Sequence, residues 1–392
     1  MARVTLSGAL ALLLLAGCGG GGGSGDGAGE AVTKAALGEA LFFDTNLSLN
    51  KTMACATCHD PDHGFIDARY VTDPGSNPVG GALSVGDDGA ALGGRNAPTA
   101  AYAMFSPTFG QDNEGTYVGG QFHDGRAADL KAQAKGPFLD TAEMMMPDRA
   151  SVVERVMENA AYVTALRALY GETIFDDVNA SYDAVAESIA AYEQTETFAP
   201  FDSKYDRFLR GEYTMTDEED LGYALFFSQA NTNCATCHTL NSESESANET
   251  FTNYEYENIG TPRNYETLAA KGLSEETQDL GLGARADIND SAHYGKVKVP
   301  TLRNIAVTGP YMSNGVFKEL RTVLEFYDHM AAQGNHPTNP ETGEPWDAPD
   351  VNATVNREVL QATKALTDAK IDALIAFLKL LTDERYEALL DE

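Results

Sequence analysis

Two identical pentapeptides carry the chemistry of this chain: Cys55-Ala56-Thr57-Cys58-His59 and Cys234-Ala235-Thr236-Cys237-His238. In a C-x-x-C-H motif the two thiols can add across the vinyl groups of a haem, and the adjacent histidine then falls under the iron as its proximal ligand. Without the histidine, such a pair would serve equally well as a redox dithiol or as half of a zinc site. Here the histidine follows both pairs, and no other cysteine pair exists to complete a four-thiolate zinc site. The expectation is two covalently bound haem c groups, with His59 and His238 on the two irons.

The elements around the motifs repeat as well. Leu37-Gly38-Glu39-Ala40-Leu41-Phe42-Phe43 precedes the first copy and Leu221-Gly222-Tyr223-Ala224-Leu225-Phe226-Phe227 the second, an L-G-x-A-L-F-F match. Leu37 with Leu41, and Leu221 with Leu225, are spaced i, i+4, so each segment should present an apolar helix stripe to its haem. Thr216 and Glu219 read as a capping box ahead of the second copy. Between the motifs, Val152, Val153, Val156, Met157, Ala160 and Leu166 recur at helical spacing, and Val185, Ile189 and Tyr192 continue the pattern. Further helices are expected over Leu320 to Met330, with Val323 and Leu324 inward, and after Thr367, with Ile371, Leu374, Ile375 and Leu378 on one face. Residues 71 to 98 and 334 to 356 are rich in Gly, Pro, Asn and Asp and should be long loops. Strand signals are few, and the one β-branched apolar run, Val297 to Ile305, contains Pro300. The fold expected is mostly α, two cytochrome c-like haem domains related by internal duplication, over residues 33–205 and 206–392.

The fifth cysteine, Cys18, ends a short apolar run behind Arg3. That charged, apolar, small-residue order marks a leader over residues 1–18. It is too short to span a bilayer and resembles a bacterial lipoprotein signal, which would leave a lipid-anchored, periplasmic protein. Residues 19–32, almost all glycine and small or acidic residues, read as a flexible tether. Length allows two or three domains, since the chain has 392 residues. The formal net charge of -32, from 59 acidic and 27 basic residues, argues against nucleic-acid binding and suits a basic electron-donor protein.

Beyond the haem motifs, the chain carries Arg95-Asn96-Ala97-Pro98-Thr99, Phe122-His123-Asp124-Gly125-Arg126-Ala127, Ala142-Glu143-Met144, Pro200-Phe201-Asp202 to Gly211, and Lys298-Val299-Pro300-Thr301-Leu302-Arg303-Asn304 leading to Gly309-Pro310-Tyr311-Met312. With these, in this order, it resembles the bacterial di-haem cytochrome c peroxidases, including the MauG-type enzymes of methylamine utilisation, from about Leu37 to the last helix.

The resemblance implies that the first haem reacts with hydrogen peroxide and that the second passes or stores electrons. Glu143 matches the family's distal glutamate and Gln133 its distal glutamine, with Glu143 shuttling the peroxide proton. The only histidine in the loop after the first motif, His63, is too close to His59 to reach the opposite haem face, so the first haem should be five-coordinate or water-ligated. Tyr327 falls at the place of the second haem's sixth ligand, with Met330, His329 and Met312 as weaker rivals. A Ca²⁺ site is implied at the side chain of Asn96 and the carbonyls of Thr308 and Pro310. Two positions depart from the family: His123 stands where a tryptophan between the haems is usual, and Ser313 replaces a usual histidine. The only tryptophan, Trp346, lies in a distant loop, and His293 and His336, which have no motif, should be solvated.

Three readings follow. The first is a peroxidase that takes electrons from a small periplasmic redox protein, a cytochrome c or cupredoxin. The second is a MauG-like oxidase of a partner protein's side chains, and the third a non-enzymatic electron carrier. A homodimer is among the assemblies that the resemblance implies.

Overall fold

Short polar side chains set the helix starts. Thr33 Oγ1 accepts from the Ala36 amide at 3.1 Å and opens the helix Lys34–Phe42. Asp148, Asn159 and Asp177 open Arg149–Met157, Ala160–Tyr170 and Val178–Glu193 in the same way. Each cap satisfies an amide of the first turn that has no partner within the helix, a contribution of about 1 kcal/mol. The expected capping box is present before Asp217–Phe226: Thr216 Oγ1 accepts from the Glu219 amide, and the Glu219 carboxylate accepts from the Thr216 amide at 2.7 Å. Leu320–Met330 and Asp368–Lys379 complete the longer helices, the last burying Ile371, Leu374 and Leu378.

The structure is a computed structural model and describes residues 32–73, 75–240 and 248–391. The expected leader, and all of the glycine-rich stretch except Val32, lie outside these residues. Among the described residues the only strands are two antiparallel pairs of two residues each, Gly110–Gln111 with Tyr117–Val118 and Tyr256–Glu257 with Val297–Lys298. The Val297 to Ile305 run pairs only at its start, because Pro300 has no amide to offer a ladder. No described helix is long and apolar enough to cross a membrane.

Two helix crossings organise the core. Lys34–Phe42 lies against Val178–Glu193 so closely that a methyl group on Gly38 would strike the Ser188 carbonyl and Tyr192 Cβ. Asp217–Phe226 lies against Asp368–Lys379 in the same manner, Gly222 meeting the Ala373 carbonyl and Phe377 Cβ. The larger apolar clusters follow these pairs, one drawn from residues between Leu37 and Ala199 and the other from residues between Tyr205 and Leu381. The expected stripe holds at Leu37 and Leu41 but fails at Leu221, which is 49% exposed. With Gly222 turned to the crossing, the buried face is completed by Leu225 and Phe226, and the preceding residue points to solvent.

The halves of the described chain are joined by polar contacts. Tyr102 donates to Asp383, which Asn304 also holds at 2.8 Å, and Tyr386 donates to the Pro61 carbonyl at 2.7 Å. The family-type segments Pro200 to Gly211 and Lys298 to Asn304 meet in a buried, two-pronged pair: Arg303 to Asp206 at 2.6 and 2.9 Å. Both residues are almost wholly buried, and Arg303 Nε also donates to the Glu249 carbonyl at 2.7 Å, so the guanidinium fork is well satisfied.

Candidate functional site

Each C-A-T-C-H segment closes a single helical turn in which the histidine amide donates to the first cysteine carbonyl at 3.0 Å. Each imidazole is then held by a backbone carbonyl. His59 Nδ1 lies 3.1 Å from the Phe65 carbonyl, and His238 Nδ1 lies 3.0 Å from the Phe251 carbonyl. A carbonyl can only accept, so Nδ1 carries the hydrogen and Nε2 keeps its lone pair, the tautomer that a haem iron requires. Burial holds both imidazoles below the usual histidine pKa, His238 at about 4, which keeps them neutral. Phe65 and Phe251 both adopt left-handed backbone, at φ 57 and 55, a conformation costing a bulky residue roughly 1–2 kcal/mol. Two free thiols, an unprotonated Nε2 and an apolar wall fit a covalently attached haem at each motif.

Beside His59, one pocket brings together Gln133 and Glu143 with Cys55, Cys58 and the histidine. Gln133 lies on the short helix Leu130–Ala134, opened by the Asp129 cap. Glu143 sits in the turn after Phe138, where its amide donates to the Asp140 carbonyl at 3.2 Å. Burial, reinforced by the like charge of Asp140 and opposed by Arg126, pushes its carboxyl up to about 7. An acid so poised can take a proton and return it near neutral pH. His63 does not line this pocket and is held by Asp60, with Nδ1 2.9 Å from Asp60 Oδ2.

Around the second motif, Tyr327 lies on the Leu320–Met330 helix edge-on to Phe326. Its hydroxyl has no hydrogen-bond partner among the described residues. Burial raises its pKa, and the Cys237 and Cys234 thiols, within electrostatic reach of the phenol, add to the effect. The rivals are engaged elsewhere. His329 stacks on Trp346 at 5.6 Å, and Met330 and Met312 pack with the Tyr311, Phe317 and Phe326 cluster.

His123 is drawn between the halves. Its Nε2 donates to the Asn96 carbonyl at 3.0 Å and its own carbonyl accepts from the Lys298 amide at 2.8 Å. Burial and the nearby Arg95 charge lower its pKa to about 4, so it is a neutral side chain with Nε2 committed. The Asn96 amide donates to the Ser313 carbonyl at 2.8 Å, and Asn96 Nδ2 to that of Gly81 at 3.2 Å. Thr308 packs against Gly64, and the Tyr70 hydroxyl donates to the Gly309 carbonyl at 2.8 Å beside Pro310.

His293 and His336 are not solvated, contrary to expectation. His293 meets Tyr117 edge-on with its Nδ1 buried. The buried carboxylate of Asp328 gathers the loop amides of Asn335 and His336 and holds His336 Nδ1 at 2.7 Å. His336 also approaches Glu325 and Asp368, but Arg321 lies 3.5 Å from both carboxylates and balances that group without an ion.

Sequence reasoning missed one residue of the first pocket, Glu193. It follows Val185 and Ile189 at intervals of four, and a carboxyl on an apolar stripe was the signal available.

Twin c-type attachment motifs with a buried acid at one of them define a di-haem protein of peroxidase type. The chain belongs to the family of di-haem cytochrome c peroxidases and MauG proteins, whose family model, Di-haem cytochrome c peroxidase, matches residues 32–214. It is 50% identical over 359 residues to methylamine utilization protein MauG of Paracoccus denitrificans, spanning 91% of this chain and 90% of that one. To cytochrome c551 peroxidase of Nitrosomonas europaea it is 30% identical over 298 residues, 76% of this chain and 73% of the relative. The diheme peroxidase BthA of Burkholderia thailandensis has the same fold, with TM-score 0.77, 30% identity, and 92% and 88% of the two chains covered. The protein is therefore an oxidoreductase of peroxidase type, and its family implies two haem c groups.

Proposed function

We propose that this protein uses hydrogen peroxide to oxidise side chains of a partner protein, drawing electrons through two unequal haem sites, as in the MauG-type reading. The observation that carries the proposal is Tyr327: an unpartnered phenol beside the second attachment pair, suited to closing that iron and to favouring its ferric state. Half of the aligned residues are shared with the Paracoccus MauG, which supports the same reading.

Bound haem supplies the redox-active iron. The rest falls to side chains: His59 and His238 hold the irons, Glu143 accepts a peroxide proton and returns it to the leaving oxygen, and Gln133 orients the bound molecule. Reduction of peroxide to two waters takes two electrons and two protons. His123 stands between the sites as the inter-haem residue in place of tryptophan, and its Asn96 bond disfavours a role as haem ligand.

The second reading keeps this machinery and takes the electrons from a small periplasmic donor. The peroxidases among the relatives and the formal charge of -32, suited to a basic donor, favour it. The non-enzymatic carrier gives Glu143 no task. We assign residues 33–205 and 206–392 to two haem domains that arose by duplication; the matched crossings at Gly38 and Gly222 and the matched histidine bonds support this. Ca²⁺ at Asn96, Thr308 and Pro310 and a periplasmic location by a lipid on Cys18 belong to the same proposal.

Two measurements on the haem-loaded protein decide. Tyr327→Phe should change the optical spectrum of the second haem alone, and an unchanged spectrum removes Tyr327 from the iron. Fast oxidation of reduced cytochrome c by peroxide would select the small-donor reading; slow donor oxidation, with the peroxide-reacted state persisting, selects oxidation of a partner protein.

A further inference from the structure

The two helix crossings permit a residue-by-residue comparison of the pockets. Gly38 meets Ser188 and Tyr192 where Gly222 meets Ala373 and Phe377, so Ser188 corresponds to Ala373 and Tyr192 to Phe377. One residue further along each helix stand Glu193 and Leu378. They are equally buried, at 6% and 5% exposure, yet one is a carboxyl and the other a hydrocarbon.

Burying a carboxyl without a partner is unfavourable in a way that burying an apolar side chain is not. Glu193 Oε2 is nevertheless buried with no hydrogen-bond partner, and no charged group is placed to compensate it. The side chain instead reaches the first pocket, which it lines together with Cys55, Cys58, His59, Gln133 and Glu143. Burial pushes its own pKa up to about 8.

We propose that Glu193 is a positioning residue of the first haem pocket: its carboxyl group makes a polar contact to the bound haem that the second pocket lacks, and this contact sets the first haem's reduction potential apart from the second's. The inference rests on both attachment motifs carrying haem. A donor directed at the cofactor or its substituents is one of the means by which a protein tunes haem potential, alongside axial ligation and burial. Glu193 is assigned a task different from that of Gln133 and Glu143, which line the same pocket: it acts through the haem. It also gives the buried, unpartnered oxygen a partner.

The test uses the haem-loaded protein and two variants. Glu193→Leu installs the side chain that Leu378 provides at the corresponding position of the second crossing, and Glu193→Gln keeps a neutral donor of the same size. Haem count by mass is taken first: a wild-type protein with fewer than two haems would overturn the di-haem reading itself, independently of Glu193. With two haems attached, Glu193→Leu should shift the midpoint potential of the first haem and leave the second unmoved, whereas Glu193→Gln should restore the first to near its native value. Unchanged potentials in a fully loaded Glu193→Leu would overturn the proposal and leave Glu193 a packing residue. Should Glu193→Leu not load the first haem, Glu193→Ala takes its place under the same criterion.

Discussion

The Phe251 carbonyl accepts a hydrogen bond from His238 Nδ1 at 3.0 Å, which leaves Nε2 as the nitrogen suited to an iron. Phe65 does the same for His59. The two attachment histidines are therefore held alike, and the sites differ in their other residues: Gln133 and Glu143 line the first, and the Tyr327 phenol lies within electrostatic reach of the second cysteine pair.

Glu143 should give peroxide turnover a pH limb. Its carboxyl is held near 7, far above the usual carboxylate range, so the free enzyme gains the basic form as pH rises through that value. kcat/KM for peroxide should rise over the same interval. Glu143→Gln should lose the limb and lower turnover by about 10²-fold or more. The same raised pKa makes the stability sign opposite: the neutral buried acid favours the fold below about pH 4.5, and this contribution is lost as pH rises through about 7. Glu143→Gln should remove that decline in denaturant unfolding.

Asp206 neutralises a guanidinium that has no access to water. Asp206→Ala should lower stability by about 3–5 kcal/mol, because it strands the Arg303 charge in the interior. Denaturant unfolding of the haem-loaded protein checks this. A change within about 1 kcal/mol would mean that water or another group reaches Arg303.

Removing calcium with a chelator should lower peroxide turnover reversibly, with recovery when Ca²⁺ is returned. Asn96→Ala should mimic the chelator and not respond to added Ca²⁺. Equal turnover in chelator and in calcium would separate Asn96 from any metal and leave it as the residue that ties Ser313 and His123 together.

Much of this arrangement was legible in the chain. The capping box at Thr216 and Glu219, the helix bearing Tyr327 and the clustering of Glu143 with His59 all follow from local pattern or from the family's motifs. Leu221 misled because a crossing as close as that at Gly222 is set by the missing side chain, and an i, i+4 count of leucines does not register it. Phe65 and Phe251 were invisible for a related reason. A left-handed phenylalanine opposes its own local preference and persists only because the histidine bond and surrounding packing demand it. His336 was read as solvated since Asp328, which captures it, lies eight residues away on another element.

In the proposed function the first haem is open and the second closed. EPR of the fully oxidised, haem-loaded protein tests this directly: one high-spin ferric signal is expected from the first haem and one low-spin signal from the second. Two low-spin signals, with a second protein ligand on the first iron, would contradict it.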